Sequence, residues 1–287
     1  MGAIYKKEIK SYFNSIIGYL FIGLFLAIVG LYHYVYNYSY GAAEYSYTLS
    51  SMCIFFVFLI PMLTMRIIAE ENRLKTDQLL YTAPVSITRV IIGKYLAMLT
   101  LFGIVIACIC VHPLVLSRFG TVNFSEDYLA IAGFALMGAA YLALGMFISS
   151  LSESQVFSAI VTFFTILLTC LMDSIIALFE TDSKTAWIVY MVTFLLLTVL
   201  TWVIMKNFLV SAIFFAVTEV SISVVYAMAP TVLEGSLESV FGWLSILTRF
   251  DSFCNGIFSL SDTIYYLSLV LIFVFLTIEN AKKRRWN

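Results

Sequence analysis

Eight apolar runs, each near the length that crosses a bilayer, decide what this chain can fold into. A helix of about 20 apolar residues crosses roughly 30 Å of hydrocarbon. The first four runs extend from about Gly18 to Tyr36, Ser50 to Met65, Gly93 to Leu116 and Tyr128 to Leu151. The others extend from Val156 to Phe179, Ala186 to Met205, Phe208 to Ala229 and Thr263 to Glu279. Inside hydrocarbon every backbone N–H and C=O must be paired within the structure, so such runs predict helices. The second run is short unless Tyr47 to Leu49 join it. The sixth and seventh are parted only by Lys206 and Asn207, which predicts a tight helical hairpin; a seven-span reading follows if that pair is misread. Composition points the same way. Of 287 residues 62% are hydrophobic and 11% charged, with a mean hydropathy of +1.00. A soluble domain carries about 25% charged residues, so lipid must solvate much of this surface.

The charges fix an orientation. With the N-terminus in the cytoplasm, the inner side receives Lys6, Lys7, Lys10, Arg66, Arg73, Lys75, Arg89, Lys94, Lys206, Lys282, Lys283, Arg284 and Arg285. The outer side receives only Arg118, Lys184 and Arg249. Basic residues concentrate on the cytoplasmic side of membrane proteins. Both termini then lie inside, which requires an even number of spans. The expected fold is all-α and polytopic: an amphipathic interfacial helix over 1–17, a transmembrane domain over 18–281 and a basic cytoplasmic tail over 282–287. Two long connections break the pattern, an inner one over 66–92 and an outer one over 231–262. No internal repeat is visible, which weighs against repeat-built secondary transporters. No cleavable signal peptide is evident, so the first run reads as a retained span.

In the N-terminal stretch, Tyr5, Ile9, Tyr12, Phe13 and Ile16 share one helical face, while Lys6, Lys7, Lys10 and Asn14 fall elsewhere. Such a helix lies in the inner interface with its lysines near anionic headgroups, as an anchor or as a lever toward a cytoplasmic partner. The inner connection mixes Glu70, Glu71, Arg73 and Lys75 with Leu74, Thr76, Leu79, Leu80 and Tyr81. A merely solvated loop does not need those apolar groups. Pro84 stops a helix and Ser86 can cap the next one. The outer connection repeats Leu237, Val240, Phe241, Leu244 and Leu247 at helical spacing, with Glu234, Glu238 and Arg249 as polar positions. That pattern predicts an interfacial or re-entrant helix.

Four stretches resemble the permease subunits of type 2 ATP-binding-cassette exporters, and most closely their gliding-motility permease subfamily. They are Lys6-Lys7-Glu8-Ile9-Lys10-Ser11-Tyr12-Phe13, and Pro61 to Arg66 continuing through Glu70-Glu71, Thr76, Leu79-Leu80, Pro84-Val85-Ser86 and Gly93-Lys94. The third is Gly145 to Ser150 followed by Gln155, and the last comprises Phe253, Gly256 and the tail Lys282 to Trp286. Two departures stand out. Six spans are usual in that family, so the hairpin over 186–229 looks like an insertion, and Ser152-Glu153-Ser154-Gln155 replaces a Thr-x-Asn-Gln-like turn.

The resemblance implies a soluble ABC ATPase bound to a coupling helix, with Glu70, Glu71, Leu74, Thr76, Leu79, Leu80, Tyr81 and Pro84 as the contact. It also implies a second permease copy or homologue, and an outer gate over 231–262. ATP and Mg would bind that ATPase and not this chain, which lacks a Gly-x-x-x-x-Gly-Lys-[Ser/Thr] loop. The expected setting is the inner or plasma membrane of a bacterial cell, with no nucleic-acid partner.

Ionisable groups inside spans mark further candidates. Glu219 sits near the middle of the seventh run and Asp173 about two-thirds along the fifth; either can line a polar path or pair with a neighbouring helix. His112-Pro113 reads as a kink, and with His33 the only other histidine a histidine-rich metal site is excluded. The five cysteines read as structural thiols, and no catalytic constellation is present. Besides an ATP-driven exporter permease, two other classes stay open: an ion-coupled secondary transporter working through Glu219, and a membrane sensor or anchor that transports nothing.

Overall fold

The structure, a computed structural model, describes residues 2–76, 86–179, 182–205 and 208–286. Among the described residues there is helix but no strand. The chain divides into two compact units, one of residues 1–170 with 246–287 and one of residues 171–245.

The first unit opens with α1 (Gly2–Asn14) and, after a break at Ser15, α2 (Ile16–His33), whose end widens into a π-helical turn over Tyr34–Ser39. Then come α3 (Ser46–Met52), a 3-10 turn at Cys53–Phe55, α4 (Phe56–Thr64) and the short α5 (Ala69–Leu74). Two longer helices with a short one between follow: α6 (Ile87–Ile109), α7 (Val111–Leu116) and α8 (Phe124–Leu151). Next is α9 (Gln155–Ala177). The second unit holds α10 (Ser183–Met205), α11 (Phe208–Met228) and α12 (Ser236–Phe241). The chain closes in the first unit with α13 (Thr248–Cys254) and α14 (Leu260–Trp286).

Seven described helices are long and apolar enough to cross a membrane: Ile16–Ser39, Ser46–Leu74, Ile87–Leu116, Phe124–Leu151, Gln155–Ala177, Ser211–Met228 and Leu260–Arg284. The protein is a polytopic, all-α membrane protein. The apolar stretch Ser183–Val199 is shorter, although its backbone helix continues to Met205 over 23 residues. At 1.5 Å per residue that is roughly 34 Å, enough for the hydrocarbon core. The second run joins its upstream neighbours, as its length demanded, and continues into α5. Between α6 and α7 the helix is interrupted at Cys110. Pro113 has no N–H to give the Ile109 carbonyl, which accounts for the break.

α8 is the most enclosed of the seven, and small residues let its neighbours approach. A Cβ on Gly138 would stand 2.3 Å from the Phe102 ring, and one on Gly145 would stand 2.5 Å from Thr64 Oγ1. Close backbone approach of this kind replaces the hydrophobic effect as the source of helix packing in lipid. Phe134 of α8 packs among Phe25, Phe56 and Phe102, stacked on Phe56 at 4.7 Å.

At the far end of α2 a polar cluster is sealed in. Asn37 in the π turn donates from Nδ2 to the carbonyls of Ala42 and Glu44, which turns its Oδ1 toward Thr48 Oγ1 and His33 Nδ1, each at 2.9 Å. An amide oxygen only accepts, so His33 carries its proton on Nδ1. The His33 ring stacks on His112 at 4.6 Å, and Tyr45 reaches His112 Nδ1 at 2.7 Å and gives its own N–H to Asp127 at 2.8 Å. Sequence reading gave neither histidine a partner.

In the second unit α10 and α11 pair as the expected hairpin. Trp187 stacks on Tyr226 at 5.3 Å, and Tyr190 on Phe241 of α12 at 6.0 Å. In the outer connection the helix predicted by Leu237, Val240, Phe241 and Leu244 is present as α12 and a 3-10 turn that continues it at Gly242–Leu244; it follows Gly235 (φ 70°) and ends at Ser245, short of Leu247. Left-handed backbone suits glycine, and Gly235 marks where that helix begins. Leu237 is buried, whereas Val240 and Leu244 are exposed.

Candidate functional site

A charged assembly of the first unit lies where α1, α5 and α6 meet. Lys94, on the second turn of α6, is only 2% exposed. Its Nζ donates to the Ile67 carbonyl at 2.8 Å and to Glu71 Oε2 at 2.9 Å, and stands 3.4 Å from Glu8 Oε1. Those partners use all three donors of an ammonium group. Lys7 completes the assembly from the solvent side, 3.0 Å from Glu71 Oε1 and 3.5 Å from Glu8 Oε1. Burial works against the Lys7 charge, but Glu71 and Glu8 outweigh it and hold its pKa above the ordinary lysine value. Lys7, Glu71, Lys94 and Glu8 thus alternate in sign around a closed ring. The ring borders a polar cavity of about 240 Å³ that Ser11, Arg66, Glu70, Leu74 and Thr76 also line.

Side chains from α1 and α8 fix the surrounding backbone. Tyr5 meets Thr100 of α6 at 2.9 Å, and Tyr12 donates to the Leu63 carbonyl of α4 at 3.1 Å. Ser149, near the end of α8, takes the place of an N-cap for α5. Its Oγ accepts the N–H groups of Ile68 (3.3 Å) and Ala69 (3.1 Å) and donates to the Met65 carbonyl (3.3 Å). Four helix-start amides have no intrahelical partner, so a borrowed acceptor stabilises a helix this short. Asn72 Nδ2 adds a contact to the Ser152 carbonyl at 3.3 Å. On the other side of the same turn, Asn280 of α14 donates to Ser150 O at 2.8 Å.

Of the residues expected to touch a partner, Glu70 pairs with Arg66 at 2.9 Å, and Leu74 is 58% exposed. Thr76 is exposed beside Lys75, whose left-handed backbone (φ 55°) ends α5. Glu71 turns inward to the two lysines and does not stand free. Leu79, Leu80, Tyr81 and Pro84 lie outside the described residues. Ser86 occupies the start of α6 with extended backbone, but its side chain makes no capping bond.

The two membrane carboxylates are in the second unit. Asp173 accepts from Ser245 Oγ at 2.6 Å. Glu219 is 8% exposed, and neither of its oxygens has a hydrogen-bond partner among the described residues. Sequence reasoning counted Lys94 among the inner charges and gave Glu8 and Ser149 no role. A lysine just inside an apolar run, with an acidic residue in each of two basic neighbouring segments, was the available signal.

Three of the four stretches singled out by resemblance meet near one end of the first unit: Glu8 and Tyr12, Arg66 to Glu71 with Lys94, and Ser149 to Ser152. The tail reaches the same turn through Arg284, 3.8 Å from Glu153, whereas Phe253 and Gly256 lie against Gly133 and Glu126 at the other end of α8. Residues 28–278 match the family described as ABC-2 family transporter protein. A comparison with curated proteins gives no match. With a match over most of its length and an all-helical polytopic fold, the chain belongs to the ABC-2 transporter family, as a membrane-spanning permease component.

Proposed function

We propose that this chain is the permease subunit of an ATP-driven exporter, of the gliding-motility permease type, in a bacterial inner or plasma membrane. It pairs with a second copy or a homologous permease, and two soluble ABC ATPases bind the segment 70–84 on the cytoplasmic side. The observation that supports this most is how α5 is held. Ser149 caps its start and Lys94 holds Glu71, while Leu74 is left exposed at its end. A short helix clamped to two neighbouring spans and open at its tip is suited to receive a push from a soluble protein. Docking elements of this size are carried by a few desolvated apolar side chains, here Leu74, Leu79, Leu80 and Tyr81. The bound ATPase supplies ATP and Mg, and its closure moves α5 and the spans attached to it.

A second reading, ion-coupled transport, rests on Glu219, whose buried carboxylate lacks a hydrogen-bond partner among the described residues. Purification of the chain from its native membrane, followed by ATP hydrolysis in nanodiscs, separates the two. Recovery of a soluble ATPase with vanadate-sensitive turnover is expected. Flux through the chain alone, driven by an ion gradient and needing no ATP, would replace the exporter with the second reading.

A further inference from the structure

We infer that Lys94 is a positioning residue that joins the N-terminal helix α1 to α5, so that the two move as one body when the ATPase closes. This rests on the docking reading above. It adds that α1, read from the sequence as an anchor or a lever, belongs to the moving part through Lys94. Three features of the ring carry the inference.

First, the ammonium is nearly inaccessible and spends each of its donors on a different segment: α1 through Glu8, α5 through Glu71, and the chain entering α5 through the Ile67 carbonyl. A charge placed for solubility or for lipid headgroups would point outward, as Lys6 and Lys10 do. Second, each carboxylate is shared. Glu8 Oε1 lies near both lysines, and Glu71 gives one oxygen to each. A displacement of α5 therefore pulls on α1 through two routes, of which only the one through Lys94 is shielded from water and salt. Third, a buried ion pair contributes little net stability relative to apolar side chains of the same shape, but it fixes one arrangement against others. At a joint between moving helices, arrangement is the property required. The ring also has a path onward. A Cβ on Gly18, at the start of α2, would stand 2.6 Å from the Tyr12 carbonyl, so α1 rests directly on the first span.

The partners are not equivalent, and that makes the idea testable. Glu8→Gln should loosen α1 while Lys94 still holds Glu71. Glu71→Gln should loosen α5 while Lys94 still holds Glu8. Lys94→Met should loosen both and leave two carboxylates facing each other, with only the exposed Lys7 between them. The measurement is the distance between spin labels on Lys10 (α1) and Arg73 (α5), both exposed, in the full complex in nanodiscs, without nucleotide and after vanadate trapping. In the parent protein the distance should stay the same in both states while ATP is turned over. In Lys94→Met the distribution should broaden and shift on trapping. ATPase recovery should be retained, and turnover should fall by roughly fivefold, within the range for residues that modulate coupling without touching ligand. A further pair of labels between α5 and α6 should be disturbed by Glu71→Gln and untouched by Glu8→Gln.

An unchanged label distance and full turnover in Lys94→Met would overturn the inference, as would a parent protein in which α1 and α5 separate on trapping. Failure of any ATPase to co-purify with the parent would instead count against the docking reading. The label distances of the isolated chain would then still report whether the ring holds α1 to α5.

Discussion

Lys94 Nζ and Glu71 Oε2 stand 2.9 Å apart, with the lysine side chain 2% exposed and the glutamate 15% exposed. The pair joins the start of the third span to the helix that follows the second. Stripping one partner from such a pair leaves a charge in a site built for two. Lys94→Met is expected to cost less than the roughly 3–5 kcal/mol of a buried charge left wholly unpaired, because Lys7 keeps its contact with Glu71, but clearly more than an exposed pair. Lys7→Ala, on the 59% exposed side chain, is expected to fall within the small range of surface pairs. Thermal unfolding in detergent by intrinsic fluorescence checks the ranking. Equal melting temperatures for the two variants would contradict the geometry.

Ser149→Ala tests the borrowed cap. The change removes the acceptor of two backbone N–H groups and leaves the packing of α8 intact. Loss of an N-cap acceptor costs about 1 kcal/mol, and more where the amides stay buried. Hydrogen exchange should speed up at Ile68 and Ala69 while the rest of the second span keeps its protection. Unaltered exchange at those amides would show that α5 does not depend on Ser149.

The fold was readable because bilayer thickness imposes a length on every span, and the apolar runs carry that length openly. The functional end was readable only in part. The loop over 66–92 announced itself by mixing charge with leucine, but Lys94 looked like one more inner cation, because charge counting along a chain does not say which residues face inward. Ser149 was hidden for a similar reason. It caps a helix 80 residues away, and capping signals are read only from residues adjacent in sequence. The outer connection carried its helix openly: Leu237, Val240, Phe241 and Leu244 fall in α12 and the 3-10 turn that continues it, while the break at Ser245 to Leu247 has no glycine or proline to announce it.

The orientation is tested with thiols. In a background free of the five native cysteines, Ser125→Cys should react with a membrane-impermeant reagent from outside sealed cells. Lys75→Cys should react only after the membrane is opened. The reverse pattern would invert the topology that the basic residues imply.

Glu219 has no hydrogen bond to lose among the described residues. Glu219→Gln should therefore leave the melting temperature unchanged or raised, since a neutral amide removes the cost of roughly 2.5–3.5 kcal/mol that a charge meets in mid-membrane. If the residue lines the route of the cargo, ATP turnover of the assembled complex should drop. A stable variant with parental turnover would remove Glu219 from the pathway.

The central claim is that segment 70–84 binds a soluble ATPase, and affinity measured in nanodiscs addresses it most directly. Leu80→Ala truncates an apolar group of that segment without touching a span. Its expected cost is about 1–2 kcal/mol, or roughly tenfold in Kd. Glu238→Lys, a change at the outer connection, should leave Kd unaltered. Leu74→Asp, at the exposed end of α5, should weaken binding at least as much as Leu80→Ala. Parental affinity in both coupling-segment variants would contradict the account and move the docking site elsewhere, most directly to the outer face of α1 or to the turn at Ser152.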